Sequence, residues 1–272
     1  MILKMHKPGF PLDQSVELLT YYEARSELHT IERLLPDGSV NIIIDLTETP
    51  KYIFDNNTLI QTQQFQRAWV SGMHSKYISI SAAKNACMFV IRFLPGRSFP
   101  FLKMPLNELS DRVTDAELLP GKKINILREQ LLHADPVSKK FAVAEKWLNT
   151  IASYSLNSEA IVRYAVGEIN KSSSIKSLAE IADKSGYSQK QFIHIFKTHL
   201  GITPKMYHRI VRFNKVLAEI EKTQSIHWTK LCYDLEYHDQ AHFIKDFHQF
   251  AGFNPNNFLK ERGEFIHYVP IA

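Results

Sequence analysis

Short runs of alternating apolar and polar residues occupy the first hundred positions of the chain. In the run 39–46, Val40, Ile42, Ile44 and Leu46 would share one face of a strand, and the turn signal Pro36-Asp37-Gly38 precedes it. Further strands are predicted over residues 51–54, 65–70, 77–81 and 88–94. Short strands at this spacing predict a sandwich or a small barrel.

The pattern changes to helical periodicity after Leu106. Helices are predicted over residues 107–113, 122–133, 139–153 and 157–170, and the polar stretch 170–174 interrupts them as a linker. From Ile175 the chain is again helical until a tail near Phe265. We therefore expect an α+β protein with a β-rich domain over 1–105, a helical connector over 106–171 and an all-α domain over 172–265.

An internal repeat is the most distinctive feature of the last hundred residues. Residues 178–187 resemble residues 228–237 at an offset of 50, and one extra residue then changes the offset to 51. Six identities recur at that second offset, namely Gln189, Phe192, Ile193, Phe196, Gly201 and Pro204 with Gln240, Phe243, Ile244, Phe247, Gly252 and Pro255. The repeat predicts two copies of one supersecondary unit.

Each copy has the composition of a helix, a tight turn and a second helix. In the first copy, a helix over 177–184 ends at Ser185-Gly186, and Ser188 caps a second helix that ends at Gly201. In the second copy, Asp239 is the cap, but Glu236 stands where the first copy has Gly186. The pattern is that of a helix-turn-helix unit. We expect the turn at Glu236 to be strained or differently shaped.

The distribution of charge indicates a polyanionic partner for this region. The formal net charge is +5, and the window from Lys184 to Ala218 contains seven Lys and Arg residues without any acidic residue. A phosphate backbone is the usual partner of such a window, although a solvated helical surface would have the same composition.

The apolar face of each second helix would anchor it and leave the opposite face free. A major groove admits one α-helix, so side chains on that outer face could reach bases or phosphates. The outer faces comprise Gln189, Lys190, Ile193, His194 and Lys197, and Gln240, Ala241, Ile244, Lys245 and His248. Between the units, a helix of about 19 residues from Pro204 to Lys222 would be about 28 Å long and could act as a rigid spacer.

The residues of the repeat resemble the AraC/XylS-type DNA-binding domain over about 174–261. The resemblance rests on the segments 196–204, 237–243 and 247–255 and on both Gly-x-x-Pro ends. It implies a domain with two helix-turn-helix units that bind promoter DNA. The base-reading residues that it implies are Lys190, Ile193, His194, Gln240, Ala241, Ile244 and Lys245, and the outer face of the first unit adds Gln189 to the predicted set. The backbone contacts predicted beside them are Lys184, Ser188, Lys197, Lys205, Arg209, Arg212 and His238. An apolar Ile193 can contact only a thymine methyl, so direct reading by the first unit is expected to be weak.

The segments 32–46 and 90–96 look like a small cupin-like β-domain that is often fused to this type. The resemblance implies a sensing domain, with residues 106–171 as connecting or dimerising helices. It leaves double-stranded promoter DNA as the expected partner, and RNA polymerase, a small-molecule effector and a second copy of the chain as further candidates. It does not name an effector.

Other classes of function find little support in the residues. The start of the chain lacks a signal peptide, no segment has the apolar length of a membrane span, and Cys87 and Cys232 follow no metal or redox spacing, so we expect a cytoplasmic protein with free thiols. Two histidine pairs, His238/His242 and His194/His199, lack a third metal ligand. The histidines of the first half, His6, His29, His74 and His133, are scattered along the sequence. The segment 121–123 lacks the pattern of a phosphate-binding loop. No cofactor, metal site or catalytic residue is predicted. Two alternatives stay open, a metal-dependent cupin enzyme and a module whose basic face binds an acidic protein.

Overall fold

The computed structural model describes residues 1–24, 30–82, 85–118, 123–152, 157–171, 178–184, 186–222 and 226–271. His29, Gly121, Ser185 and residues 172–174 of the predicted linker lie outside these ranges, as do the predicted helix ends at Lys122, Ser153 and Ser177.

Two antiparallel sheets form the N-terminal half. The strands are β1 Ile2–His6, β2 Val16–Ala24, β3 Ile31–Leu34, β4 Val40–Asp45, β5 Lys51–Phe54, β6 Gln61–Phe65, β7 Ala68–Ser71, β8 Ile78–Ser81, β9 Ala86–Phe93, β10 Val113–Asp115 and β11 Tyr268–Pro270. One sheet has the order β1-β2-β9-β4-β7-β10, and the other has the order β11-β3-β8-β5-β6. The predicted β-rich architecture is confirmed, while its cupin-like character stays a prediction.

Strand β4 shows why the period-two pattern predicts the sheet correctly. Its alternate residues Val40, Ile42 and Ile44 are buried, and Ile42 is paired with Val70 on one side and with Ile91 on the other. This face of the sheet joins a core that extends into the helices of both halves. A smaller apolar cluster that includes Phe65, Trp69 and Val113 forms on the other face.

Helices dominate the rest of the chain. They are α1 Phe99–Leu102, α2 Lys123–His133, α3 Val137–Ile151, α4 Asn157–Lys171, α5 Leu178–Lys184, α6 Gln189–Leu200, α7 Pro204–Lys222, α8 Trp228–Asp234, α9 Gln240–Ala251 and α10 Pro255–Glu261. The predicted helices over 122–133, 139–153, 157–170 and 204–222 are confirmed within two residues at each end. None of the described helices combines the length and the apolar character that crossing a membrane needs.

The helix predicted over 107–113 is wrong. Leu106–Glu108 forms only a short 3₁₀ turn, Asp111 has a left-handed φ of 57°, and β10 follows as an edge strand beside β7. The left-handed residue stops the helix, because an L-residue in this region cannot continue right-handed helical hydrogen bonding. As a result, the six-stranded sheet extends beyond residue 105.

The tail after residue 265 is also structured. Its strand β11 runs antiparallel to β3 and becomes the edge of the five-stranded sheet, with Tyr268 opposite Leu34 and Pro270 opposite Glu32. The last residues of the chain thus return from the helical region to the N-terminal half.

The two copies of the repeat have the same backbone turn. Gly186 has a φ of 74°, and Glu236 has a φ of 54° at the equivalent position. The next residue closes both turns, since Tyr187 N–H donates to Ala182 O and Tyr237 N–H donates to Cys232 O. Of the two expectations for Glu236, strain is therefore the correct one, because the turn keeps its shape.

We predict that Glu236→Gly stabilises the protein. Removing Cβ relieves left-handed strain, and the entropy that glycine gains in the unfolded chain offsets part of it, so the net gain should be about 0.5 to 1 kcal/mol. Urea unfolding measures it. As a control, Gln130→Gly on the exposed side of α2 should instead cost about 1 kcal/mol. If both variants lowered the free energy of unfolding equally, the proposed backbone strain at Glu236 would be contradicted.

Candidate nucleic-acid interface

Helix α6 begins at a capping box, as its sequence predicts. The Ser188 hydroxyl accepts a hydrogen bond from Gln191 N–H at 3.3 Å, and the Gln191 side chain accepts one from Ser188 N–H at 3.0 Å. Phe192, Phe196 and Leu200 are fully buried, so one face of α6 is fixed in the core. The helix ends at Gly201, which has a φ of 90°.

Helix α9 has the same construction. The Asp239 carboxylate accepts a hydrogen bond from His242 N–H at 2.7 Å, and this bond is the main cause of the lowered pKa of Asp239. Phe243 and Phe247 are buried, and Gly252 ends the helix with a φ of 73°. The repeat therefore produces two capped second helices whose aromatic faces are equivalent.

The outer faces of α6 and α9 are accessible. Seven of the eight predicted base-reading residues are exposed, and Ile193 is half-buried against the core. Its counterpart Ile244 is 43% exposed. Part of the Ile193 side chain packs inwards, and the weak reading expected of it stays a prediction.

Four lysines near these faces are free to meet an anion. Lys190, Lys197, Lys205 and Lys245 are exposed, and none of them forms an ion pair with another of the described residues. Lys184 and Ser188 are also exposed, and the side chain of His238 is 88% exposed while it touches Asp239. These positions stay predictions as phosphate contacts.

The two arginines predicted as backbone contacts have partners inside the domain. Arg212 is 7% exposed, and it binds Asp246 at 3.1 Å and the backbone oxygen of Glu236 at 3.2 Å. Arg209 binds the other oxygen of Asp246 at 2.7 Å and the Gln249 side chain at 2.7 Å. Both guanidinium groups are thus engaged by Asp246 inside the domain, whereas the nearby lysines are exposed. The phosphate contacts predicted for these two arginines stay predictions.

Asp246 is the residue that sequence reasoning missed. It is 1% exposed and holds both arginines of α7, so it fixes α9 to that helix. A visible signal was its position three residues after Phe243, which places a carboxylate on the buried side of α9. A carboxylate buried there needs a cationic partner.

Arg212 also supports the turn of the second helix pair. Its guanidinium lies 3.7 Å from the centre of the Tyr237 ring. Burial raises the pKa of the Tyr237 hydroxyl, which therefore stays neutral. The arginine thereby links the strained residue Glu236, the next residue Tyr237 and α9 in one cluster.

The histidines of this region are spread apart. Within the described ranges, no group of three or more His, Cys, Asp or Glu side chains is placed to hold a metal ion. His199 is buried and packs on Phe99 with 4.8 Å between ring centres, and burial lowers its pKa. His194 and His248 are exposed on the outer faces instead.

Two family models match the sequence. A model described as a helix-turn-helix domain matches residues 181–261, which include most of α5 and all of α6 to α10. A model described as a domain of unknown function matches residues 4–115, which include part of β1 and all of β2 to β10. A search of curated proteins found no significant match.

Several solved structures resemble the whole chain weakly. An apo variant of ToxT from Vibrio cholerae is 13% identical, with 89% of this chain and 96% of that chain covered and a TM-score of 0.45. Wild-type ToxT from the same organism, bound to an unsaturated fatty acid, is 10% identical, with 90% of this chain and 95% of that chain covered and a TM-score of 0.45. The AraC-like transcriptional activator CuxR is 14% identical, with 80% of this chain and 87% of that chain covered and a TM-score of 0.27. These scores are too low to carry an argument about this chain.

The repeat, its two capped helices and the matching family model agree on the same residues. The C-terminal part of the chain is a helix-turn-helix domain, and it follows a β-rich domain.

Proposed function

We propose that the protein is a sequence-specific DNA-binding transcription regulator in which α6 and α9 each enter a major groove. The observation that carries the proposal is the pair of equivalent capped helices, joined by the single helix α7, whose outer faces are both exposed. We call α6 and α9 the recognition helices.

The geometry of α7 supports reading of two adjacent grooves. This helix has 19 residues, and at 1.5 Å per residue it is about 28 Å long. Successive major grooves on one side of a duplex are about 34 Å apart. Helix α6 packs near the start of α7, at Tyr207, and α9 packs against its middle, at Phe213, so one continuous helix carries both recognition helices.

The exposed side chains divide into two roles. Gln240, Ala241, Ile244 and Lys245 face outwards near the start of α9, where recognition helices contact base edges. Lys197 and Lys205 lie further along the chain than the first turn of α6, and we assign them to phosphates. Phosphate contacts position the domain, and base contacts specify the sequence.

The N-terminal β-rich domain would modulate DNA binding. This role is supported by the continuous apolar core that joins the β-rich domain to the helix-turn-helix domain. Close-packed cores transmit strain, so a structural change in one domain would shift side chains in the other. A small-molecule effector, RNA polymerase and a second copy of the chain are the partners that this role would involve.

The proposal is tested by selecting random DNA duplexes with the purified full-length protein. The affinity for the selected duplexes is then measured across several salt concentrations. We expect an enriched motif that spans two adjacent major grooves and an affinity that falls steeply with salt. Binding without enrichment would contradict sequence-specific reading, and tight binding to an acidic protein with indifference to DNA would favour an interaction module instead.

Replacing Lys245 by Ala should weaken binding to the selected duplex more than binding to random duplex. A base contact of this kind contributes about 1 to 3 kcal/mol of discrimination. Competition between the two duplexes measures the difference. Lys146→Ala removes the same charge from an exposed site on α3 and should change neither affinity. Equal losses on both duplexes would place Lys245 among the phosphate contacts.

Replacing Lys197 by Ala should weaken binding to every duplex alike. Loss of one phosphate contact reduces the slope of log affinity against log salt by about one. Titrations of wild type and variant at four or more salt concentrations give both slopes. If the slope is unchanged, Lys197 does not contact a phosphate.

A further inference from the structure

Both recognition helices end against the N-terminal half of the chain. Gly201 and Gly252 are equivalent in the repeat, and both adopt the left-handed conformation that ends the helix. Each of them also lies so close to the N-terminal half that a Cβ atom would collide with it. By contrast, Gly186 has a φ of 74° and open space around it.

The first contact is made by the end of α6. A Cβ on Gly201 would lie 2.9 Å from the backbone oxygen of Leu106, which is closer than side-chain carbons approach. Beside it, Leu200 is fully buried, and His199 packs on the ring of Phe99. The end of α6 therefore rests directly on backbone of the N-terminal half.

The second contact is made by the end of α9. Arg33 on β3 donates a hydrogen bond to the backbone oxygen of Gly252 at 3.0 Å. Its guanidinium lies between two rings, 4.5 Å from the centre of Tyr77 and 4.2 Å from that of Phe253. Gln249 adds a hydrogen bond to the backbone oxygen of Ser75 at 3.1 Å.

The C-terminal tail reinforces the second contact. Strand β11 pairs with β3, the strand that carries Arg33. At the start of β11, His267 donates a hydrogen bond to the Asn214 side chain at 2.7 Å, and Asn214 donates another to the backbone oxygen of Pro36 at 3.0 Å. These bonds connect α7, the tail and the N-terminal half at one place.

We propose that the N-terminal domain is a two-point mount that holds the C-terminal ends of both recognition helices and so fixes their relative position for DNA. This inference rests on the proposed function, since the relative position matters only if both helices read one duplex. The N-terminal turns and outer faces of the helices remain free, so the mount orders the helices without covering their reading surfaces.

A rigid mount has two consequences for binding. Helices that are already ordered lose less conformational entropy when they bind, so the affinity for a two-part site is higher. A fixed separation also makes the affinity depend steeply on the spacing of the two half-sites. Loosening one contact should therefore lower the affinity for the best spacing and flatten the dependence on spacing.

The chain offers matched variants for the test. Gly252→Ala places a methyl group 2.6 Å from Arg33 and 2.7 Å from the Tyr77 ring, whereas Gly186→Ala meets no atom within 4 Å. Both substitutions put alanine into nearly the same left-handed conformation, so the strain within the helical domain is matched. Arg33→Ala removes the contact from the other side and leaves the helix-turn-helix domain unaltered.

The first measurement needs no DNA. Spin labels are attached at Lys197→Cys and His248→Cys, which are equivalent exposed positions on α6 and α9, in a background with Cys87→Ser and Cys232→Ala. Pulsed electron resonance then gives the distribution of distances between the labels. We expect a narrow distribution for this background and for Gly186→Ala, and broader ones for Gly252→Ala and Arg33→Ala. If neither broadens, or if Gly186→Ala broadens equally, the mount is refuted.

The second measurement uses the selected duplex and versions of it with one base pair inserted or removed between the half-sites. We expect Gly252→Ala and Arg33→Ala, without labels, to lose about tenfold in affinity for the selected duplex and to depend less on spacing. Unchanged affinity would overturn the proposal, because the contacts with the N-terminal domain would then not contribute to DNA binding. Tighter binding would also overturn it, because those contacts would then oppose DNA binding. If no duplex is selected, the proposed function fails, while the distance measurement still decides whether the mount exists.

Discussion

Helix α7 is the element on which both recognition helices depend. Near its start, Tyr207 packs on Phe196 of α6 with 5.9 Å between ring centres, and in its middle Phe213 packs on Phe247 of α9 at 5.3 Å. All four rings are buried, and burying an aromatic side chain contributes about 1.5 to 3 kcal/mol. One end of each packing arrangement is thus a ring on α7, while the C-terminal ends of α6 and α9 are held by the N-terminal domain. A break in α7 would leave two helix pairs that are each too small to be stable alone.

The basic residues of this region fall into two groups. The arginines of α7 form internal ion pairs, and the exposed lysines remain available to a binding partner. The acid-free window from Lys184 to Ala218 contains arginines that are used internally, because Arg209 and Arg212 share the buried carboxylate of Asp246. Removing one partner of such a pair costs about 3 to 5 kcal/mol, since a buried charge is left uncompensated. The exposed lysines carry the positive charge that remains available to a partner. A count of basic residues therefore overstates the surface that DNA would meet.

The sequence predicts most of what is local. Caps at Ser188 and Asp239, the bounds of α7 and the buried face of β4 follow from spacing and side-chain chemistry within a few residues. The left-handed turn at Glu236 could also be predicted, because a repeat imposes the geometry of one copy on the other.

The missed features depend on distant partners. Arg209 finds Asp246 thirty-seven residues away, and strand β11 pairs with β3 across more than two hundred residues. Edge strands such as β1, β10 and β11 carry weak alternation of their own and form because a neighbouring strand offers hydrogen bonds. No local pattern in Arg33 or Gly252 indicates that they meet, and the continuous core between the halves is a property of the folded chain.

The most direct test of the central claim is a methylation-interference experiment on a duplex that the full-length protein selects. Methyl groups on guanine N7 block contacts in the major groove, so the experiment locates each recognition helix on the DNA. We expect two clusters of interference on one side of the duplex, separated by about 10 base pairs. A single cluster would contradict it, because one recognition helix would then read the site while the other merely supports the fold.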